Sequence, residues 1–384
     1  MSIDSDFNKG TTLKNSLAPI ASLECIDESS ATSDGSRTLP PSRQISLSAA
    51  TGIRYKNLGK SGLKISSVGL GTWVTFGQNL SEEQAEEIVQ TAYDHGINIF
   101  DTADAYAGGR SELLLGKILK NSGWKRSSYI VATKLVWGSK LDSDMGLSRK
   151  FILEAIDASL QRLQMDYVDI VYINRTDPMC PIEEVVRACT HAINHGKAMY
   201  WGTSRWTAME IMEAYTVARQ CHLIPPSAEQ TEYHMFQREK VEIHLPELFH
   251  KIGTGTITWS PQAFGLLTGK FDEGVQLLSR GSLKSLSALQ DRLNMDDSRN
   301  PKDQLKMREL NHLADKLGCS MTQLTIAWCL KSEQVQCVLL GALSIDHLYD
   351  QLQALQIIPK LTTNISNEIE KILDNKPTRH PLQR

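Results

Sequence analysis

The sequence lacks the features of several large protein classes. No apolar run approaches the roughly 20 residues that a membrane-spanning helix needs. The first residues include Asp4 and Asp6 and lack the apolar core of a signal peptide. A net charge of −3 gives no basic field for nucleic acid. We therefore expect a protein with no transmembrane segment of its own and no nucleic-acid partner.

Paired cysteine motifs are absent as well. The seven cysteines are odd in number and include no Cys-x-x-Cys pair. We therefore expect reduced cysteines, as in proteins of the cytosol.

Aromatic residues are scarce in the first fifty residues. This stretch is rich in Ser and Thr, has Phe7 as its one aromatic residue, and contains the pair Pro40–Pro41. It cannot bury enough apolar surface to offset the entropy lost on ordering. Residues 1–53 are therefore predicted to be a disordered arm, and composition leaves open whether the arm has a regulatory task.

From Tyr55 onward the chain repeats a unit of helix, C-terminal glycine and buried strand. "YKNLGKSGLKIS" predicts a β-hairpin, and Ser81 with Gln84 predicts a capping box at the start of the first helix. Amphipathic helices such as 151–163 and 208–218 lie between the strands. The predicted strands are Val68–Leu70, Ile97–Phe100, Ile130–Thr133, Val168–Ile173, Met199–Gly202, Ala228–Gln230, Ile257–Trp259 and Val338–Leu340.

Eight strands alternating with helices favour an α/β fold of the (β/α)8 TIM barrel type over residues 54–377, with a tail at 378–384. The rival is a doubly wound sheet, which usually carries Gly-x-Gly-x-x-Gly after its first strand; that motif is absent. The stretch from Phe264 to Asn300 is rich in Ser, Gly and Leu. It is predicted to be an inserted loop and a candidate lid.

Nearly every predicted strand is followed by a polar residue, and a TIM barrel gathers such positions at one mouth. Each has a simpler explanation on its own: Asp101 could cap a turn, Lys134 could be a solvated charge, and Ser204 could cap the next helix. Their convergence favours an active site. The positions are Thr72, Trp73, Asp101, Lys134, Asn174, Ser204, Arg205, Gln230, Ser260 and Gly341.

Tyr106 lies five residues after Asp101, on a loop that can return its phenol to the mouth. A phenol titrates near pH 10 and needs a cation to act as an acid at neutral pH. Lys134 can supply that cation and Asp101 can hold Lys134 in place. The three residues form a plausible proton-donating unit for the reduction of a carbonyl group.

The runs "GLGTW", "FDTADAY", "VATK", "WGTSRW" and "WSPQAFGLLTGKF" resemble the aldo-keto reductases. Longer runs, such as "MYWGTSRWTAMEIMEAY", resemble the beta subunits of voltage-gated potassium channels over about Arg54 to Pro377. The resemblance implies an NADPH-binding barrel that reduces an aldehyde or ketone. It also implies a homotetramer bound to the cytosolic domain of a channel alpha subunit. The expected location is therefore cytoplasmic and peripheral, on the cytosolic side of the plasma membrane.

The catalytic tetrad of these families falls on Asp101, Tyr106, Lys134 and Asn174. Most aldo-keto reductases have His at the last position, whereas the channel beta subunits have Asn. An amide can donate a hydrogen bond but cannot titrate near neutrality as His does. The resemblance therefore implies slow turnover with a tightly held cofactor.

The resemblance also implies a set of NADPH contacts. Ser204 and Gln230 would bind the nicotinamide amide, and Lys270 and Arg280 would meet phosphates. The remaining matched positions are Thr72, Trp73, Arg205, Trp259, Ser260, Pro261, Ala263 and Gly341. The chain departs from the channel subunits elsewhere. Asn79 replaces Gln, and Gln262 and Phe264 replace Leu and Cys. At the adenosine end, changes at Leu278, Leu343, His347, Asp350 and Gln351 leave the preference for NADPH over NADH open.

The first fifty residues carry six acidic side chains against four Lys and Arg. Channel beta subunits can block a pore with an N-terminal segment, which works best when that segment is cationic. We therefore expect weak or no fast block by this arm.

Overall fold

The structure, a computed structural model, describes residues 51–137, 146–268 and 301–378. Its strands are β1 Tyr55–Asn57, β2 Lys64–Ser66, β3 Val68–Gly71, β4 Ile99–Asp101, β5 Ile130–Val136, β6 Val168–Asn174, β7 Ala198–Ser204, β8 Ala228–Glu232, β9 Gly255–Trp259 and β10 Cys337–Leu340. Its α-helices are α1 Glu82–Asp94, α2 Arg110–Asn121, α3 Arg149–Leu163, α4 Ile182–Asn194, α5 Ala208–Gln220, α6 Leu245–Ile252, α7 Pro301–Leu317, α8 Met321–Lys331, α9 Ile345–Ile357 and α10 Thr363–Leu373.

Strands β3 to β10 form a closed barrel in which every neighbouring pair is parallel. Closure comes from β10, which pairs with β9 on one side and with β3 on the other. Helices connect successive strands, as parallel strands require a crossover. The predicted (β/α)8 barrel is therefore confirmed, and the doubly wound sheet is excluded.

All eight predicted barrel strands are present, with shifted ends. The start of β9 shifts by two residues, to Gly255 from Ile257. An equal shift occurs in β4, which begins at Ile99 rather than Ile97. The cause is Asn98, whose Oδ1 accepts from the Ser66 amide (2.8 Å) and whose Nδ2 donates to the Lys64 carbonyl (3.1 Å). Asn98 thus ties the β1–β2 hairpin to the barrel instead of extending the strand.

Local sequence sets the helix ends. Ser81 and Gln84 form the predicted capping box at the start of α1, and Thr207 with Glu210 forms another at the start of α5. Thr207 is therefore the cap of α5, and the capping role considered for Ser204 is wrong. At the C-terminal end of α6, Gly253 has φ +80°, a left-handed conformation that glycine adopts without strain.

The barrel interior is filled by apolar side chains from alternate strand positions, including Ile99, Ile130, Ile170 and Ile257. Leu58 and Ile65 of the predicted hairpin, which is confirmed, pack into the same cluster. Several of these strand residues lie at or near the first positions of their strands. The hairpin therefore covers the N-terminal end of the barrel, opposite the functional mouth.

Some predictions fall outside the described residues. They concern the arm, apart from residues 51–53, most of the candidate lid, of which 264–268 form a 3-10 turn, and the last six residues of the tail. Within the described ranges, no helix combines the length and apolar character that a membrane crossing requires.

Candidate active site

Polar side chains gather where the parallel strands end. Asp101, Asn174 and Ser204 are the last residues of β4, β6 and β7. Lys134 lies in β5 and Gln230 lies in β8, each two residues before the strand ends. The structure therefore brings these predicted residues to one end of the barrel.

Lys134 and Asp101 form an ion pair inside the barrel mouth. The Lys134 Nζ to Asp101 Oδ2 distance is 2.5 Å, and the two side chains are only 5% and 4% exposed. Lys134 also donates to the Thr102 carbonyl at 2.8 Å, and Gln230 donates to the second Asp101 oxygen at 2.7 Å. Such added hydrogen bonds are what makes a buried ion pair tolerable. Lys134 is therefore a buried ion, and the solvated-charge explanation for it is wrong.

Tyr106 returns to this ion pair as predicted. It begins a short 3-10 turn whose next residue, Ala107, has φ +52°. The Lys134 ammonium lies 5.1 Å from the centroid of the Tyr106 ring. The loop therefore places the phenol beside the cation.

The surroundings keep a proton on Tyr106 and a positive charge on Lys134. Burial raises the pKa of Tyr106 above its usual value, and the opposing effect of Lys134 is smaller. Burial lowers the pKa of Lys134, but Asp101 and Tyr106 outweigh it, so the net pKa is raised. Burial also raises the pKa of Asp101, against the charge of Lys134 and two hydrogen bonds. At neutral pH Tyr106 is protonated and Lys134 is a cation.

Asn174 has capacity for a further hydrogen bond. Its Oδ1 is buried and accepts no hydrogen bond from the described residues, and the same holds for Thr72 Oγ1. Asn174 is paired in register with Ser204, which is itself 2% exposed. A buried acceptor without a partner is costly unless a ligand or water satisfies it. These atoms are therefore suited to a ligand that carries N–H or O–H donors.

The other predicted cofactor positions fall on the loops of the mouth. The Arg205 guanidinium lies 4.8 Å from the centroid of the Trp259 ring. Ser260 follows β9 with φ +60°, and Gly341 follows β10 with its carbonyl accepting from Gln351 Nε2 at 2.8 Å. The further positions described are Trp73, Pro261 and Ala263, whereas Lys270 and Arg280 lie outside the described residues.

Backbone strain is concentrated on these loops. Val74, Arg175, Arg205 and Phe264 all have positive φ, between +59° and +64°. For residues with a side chain this conformation costs about 1–3 kcal/mol each and is held by its surroundings. At Phe264 the amide donates to Ser260 Oγ at 3.0 Å. Such strain is characteristic of functional sites.

The sequence did not indicate two contributors to the site. Phe264 was noted only because it differs from related sequences, yet its ring contacts Trp73 and Trp259. Thr102 contributes a backbone carbonyl to Lys134. The alternation of strands and helices places "WSPQAF" after a strand, so it could have suggested an aromatic ring on a loop at the mouth. The Thr102 carbonyl could not have been found in this way, because every residue type has a backbone carbonyl.

The match to known proteins agrees with this geometry. Residues 67–374 match the model of the aldo/keto reductase family. The chain belongs to the aldo/keto reductase family. Membership indicates an oxidoreductase, and members of this family typically use a nicotinamide cofactor.

Proposed function

We propose that this aldo/keto reductase is a slow, NADPH-dependent reductase of aldehydes or ketones that serves as the cytosolic auxiliary subunit of a voltage-gated potassium channel. The observation that carries the reductase activity is the buried Lys134–Asp101 ion pair, 2.5 Å between Nζ and Oδ2, beside the phenol of Tyr106. A protonated phenol next to a fixed cation is suited to give a proton to a carbonyl oxygen.

The proton transfer follows from the arrangement of the chain's own residues. A reduced nicotinamide, when bound, supplies a hydride to the carbonyl carbon and is oxidised. Tyr106 gives a proton to the carbonyl oxygen, so that the C=O group becomes an alcohol. The phenolate that remains is stabilised by Lys134 and regains its proton from solvent. Asp101 keeps Lys134 in position, and Gln230 in turn donates a hydrogen bond to Asp101.

The amide of Asn174 is the reason to propose slow turnover. Its amide can orient a carbonyl group or the nicotinamide amide through hydrogen bonds. It cannot change its charge near neutrality, so it adds position without a second titrating group.

The residues present fit a nicotinamide cofactor at the mouth. The unpartnered acceptors Asn174 Oδ1 and Thr72 Oγ1 can receive donors from an amide or a ribose hydroxyl. Ser204 and Gln230 would hold the nicotinamide amide, and Trp259 to Pro261 with Ala263 would line the path of the pyrophosphate. Trp73, Arg205 and Gly341 complete this set, and Lys270 and Arg280 would meet the phosphates.

The channel role is supported by the resemblance of long sequence runs to those of channel beta subunits. On this proposal the chain forms a homotetramer on the cytosolic face of the plasma membrane and binds the cytosolic domain of an alpha subunit. Fourfold cyclic symmetry requires a heterologous interface, in which one surface meets a different one on the next copy. The alternative is a carbonyl reductase with no channel partner.

Two measurements test the proposal separately. The purified protein is titrated with NADPH and with NADH while nucleotide fluorescence and melting temperature are followed, and aldehyde reduction is then measured. We expect binding, a raised melting temperature and slow turnover; no change with either nucleotide would exclude the reductase.

The channel role is tested by pull-down with the cytosolic domain of a potassium channel alpha subunit, together with sedimentation. We expect a tetramer that is retained by the domain. A monomer that turns over aldehyde and does not bind the domain would favour the alternative.

A further inference from the structure

The segment that leads from β4 to Tyr106 stays alongside β5 after β4 has ended. The Thr102 amide donates to the Ala132 carbonyl at 2.8 Å, and the Asp104 amide donates to the Lys134 carbonyl at 3.0 Å. Asp104 lies two residues before Tyr106 in the chain. The backbone that carries the proposed proton donor is therefore attached, through Asp104, to the backbone that carries the cation.

The side chain of Asp104 makes a second contact with β5. Its Oδ1 and Oδ2 atoms lie 3.1 and 3.3 Å from the amide nitrogen of Val136, which donates to the carboxyl group. Val136 is the last residue of β5, and the pairing of β4 with β5 ends earlier, at Ala132. The carboxyl group therefore takes the place of a strand carbonyl, and Asp104 binds β5 on both sides of Leu135.

The turn that Tyr106 begins depends on its surroundings. The three residues after Tyr106 all have positive φ, from +52° to +87°. A run of left-handed residues is held by its contacts rather than by its own preference. At the far end of the turn, Arg162 of α3 packs against Gly109, since a Cβ atom on this glycine would lie 2.8 Å from Arg162 Cδ. Asp104 holds the near end of the turn.

Arg162 also pairs with Glu112, a fully buried residue of α2. The Arg162 Nε donates to Glu112 Oε2 at 2.6 Å, and the Thr133 hydroxyl donates to Glu112 Oε1 at 2.6 Å. Burial, with a smaller contribution from Glu112, raises the pKa of Asp104 to about 7, against the charge of Arg162 and backbone hydrogen bonds. A large part of Asp104 is therefore uncharged at neutral pH. Because the uncharged carboxyl group still accepts from Val136, Asp104 acts as an acceptor and does not need a charge.

We propose that Asp104 is a positioning residue of the proposed reduction, which fixes the turn of Tyr106 against the strand of Lys134 through its amide and its carboxyl group. The inference rests on the proposed function, because it concerns the proton donor of the same site. The Tyr106 phenol has to meet both the carbonyl oxygen and the Lys134 ammonium. A displacement of the turn by about 1 Å is enough to slow the reaction strongly.

The first test measures single-turnover reduction of benzaldehyde by bound NADPH, together with the Kd of NADPH, so that product release does not mask the chemical step. Asp104→Ala removes the acceptor, and we expect the single-turnover rate to fall about ten- to hundredfold with Kd unchanged. Asp104→Asn keeps an acceptor for Val136 and should restore most of the rate. Glu184→Ala is the matched control, because it removes a carboxylate that accepts from the Arg149 amide at 2.7 Å on the outer helix α4.

The second test does not depend on turnover. Hydrogen–deuterium exchange is followed by mass spectrometry in peptides that cover residues 102–109 and 130–137. We expect Asp104→Ala to exchange faster than native protein in both peptides, and Asp104→Asn to exchange at the native rate. If the native protein reduces no aldehyde, the proposed function fails, whereas this exchange pattern still supports the attachment of the Tyr106 turn to β5.

Two results would overturn the inference. One is native exchange and a native single-turnover rate in Asp104→Ala. The other is a loss of rate in Asp104→Ala that is matched by an equal loss of NADPH affinity, since Asp104 would then act on nucleotide binding. If Asp104→Ala does not fold, Asp104→Gln replaces it. Gln carries the amide of Asn one methylene further out, so it should lower the rate and speed exchange where Asn does not.

Discussion

Lys134 Nζ and Asp101 Oδ2 lie 2.5 Å apart inside a barrel mouth that leaves only about a twentieth of either side chain exposed. Neither ion could be kept there alone, because an unpaired buried charge is very costly. The pair therefore links stability and chemistry: the cation that serves Tyr106 also neutralises the carboxylate that holds it.

Lys134→Met should destabilise the fold, because among the described residues it leaves the buried Asp101 carboxylate with Gln230 alone as a side-chain partner. We expect the free energy of unfolding in urea to fall by about 3–5 kcal/mol. Adding Asp101→Asn should recover most of this loss, since the amide can still bond to Gln230. Lys150→Met removes a cation from an exposed pair and should change little. Equal stability of the native protein and Lys134→Met would contradict a buried ion pair.

Tyr106→Phe should abolish most aldehyde reduction without affecting nucleotide binding. The change removes the proton donor but keeps the ring next to Lys134 and Trp73. A positioned general acid contributes about 10²–10⁴-fold, so we expect a loss of that order in steady-state assays. Tyr349→Phe, on the outer helix α9, is the control. Native turnover by Tyr106→Phe would show that another group supplies the proton.

Asn174→His tests why an amide occupies the fourth position of the proposed catalytic tetrad. The imidazole can still orient a carbonyl group and can titrate near pH 6.5. We expect kcat to be unchanged or raised, with a new pH dependence in that range. Asn194→His, on the exposed end of α4, should show neither effect. A large loss of kcat would mean that the amide has a specific role which imidazole cannot replace.

Asp104→Asn should change how stability depends on pH. Burial and the nearby Glu112 raise the pKa of Asp104 to about 7 from its usual 3.8. Between these values the folded state holds a proton that the unfolded chain has lost, so this group's contribution to stability falls as pH rises. Asn accepts the same hydrogen bond from Val136 and does not titrate.

Relative to native protein, the Asp104→Asn variant should therefore gain about 3 kcal/mol in unfolding free energy between pH 4 and pH 8. Urea unfolding at several pH values measures this. Asp346→Asn, in the exposed first turn of α9, is the control. Parallel pH profiles for native and Asp104→Asn protein would show that Asp104 is not titrating in this window.

Removal of residues 1–50 should leave the predicted tetramer intact, because the interface is expected to be built from the barrel. The net charge of the arm is slightly acidic, so coexpression with a channel should give weak or no fast block. Sedimentation of both forms and current recordings measure these effects. Fast inactivation that disappears with the deletion would show that the arm blocks the pore.

The sequence predicted the eight strands and the polar side chains at the barrel mouth because both depend on local pattern: buried runs, helix ends and the residue that follows each strand. It could not predict that the rings of Trp73, Trp259 and Phe264 cluster at the barrel mouth. Trp73 and Phe264 are far apart in the chain, and their contact depends on closure of the barrel through β10. A strand also begins later than predicted where a side chain, and not the backbone, accepts a hydrogen bond from the neighbouring segment, as at Asn98.

The β1–β2 hairpin limits where ligands can enter and leave the barrel. Leu58 and Ile65 close the N-terminal end of the barrel. The nucleotide and the carbonyl compound of the proposed reaction would therefore both enter at the C-terminal end. The ligand that binds deeper in the mouth would have to bind first and dissociate last. On the proposed function, binding would therefore be ordered, and release of the oxidised nucleotide would be the step that limits turnover.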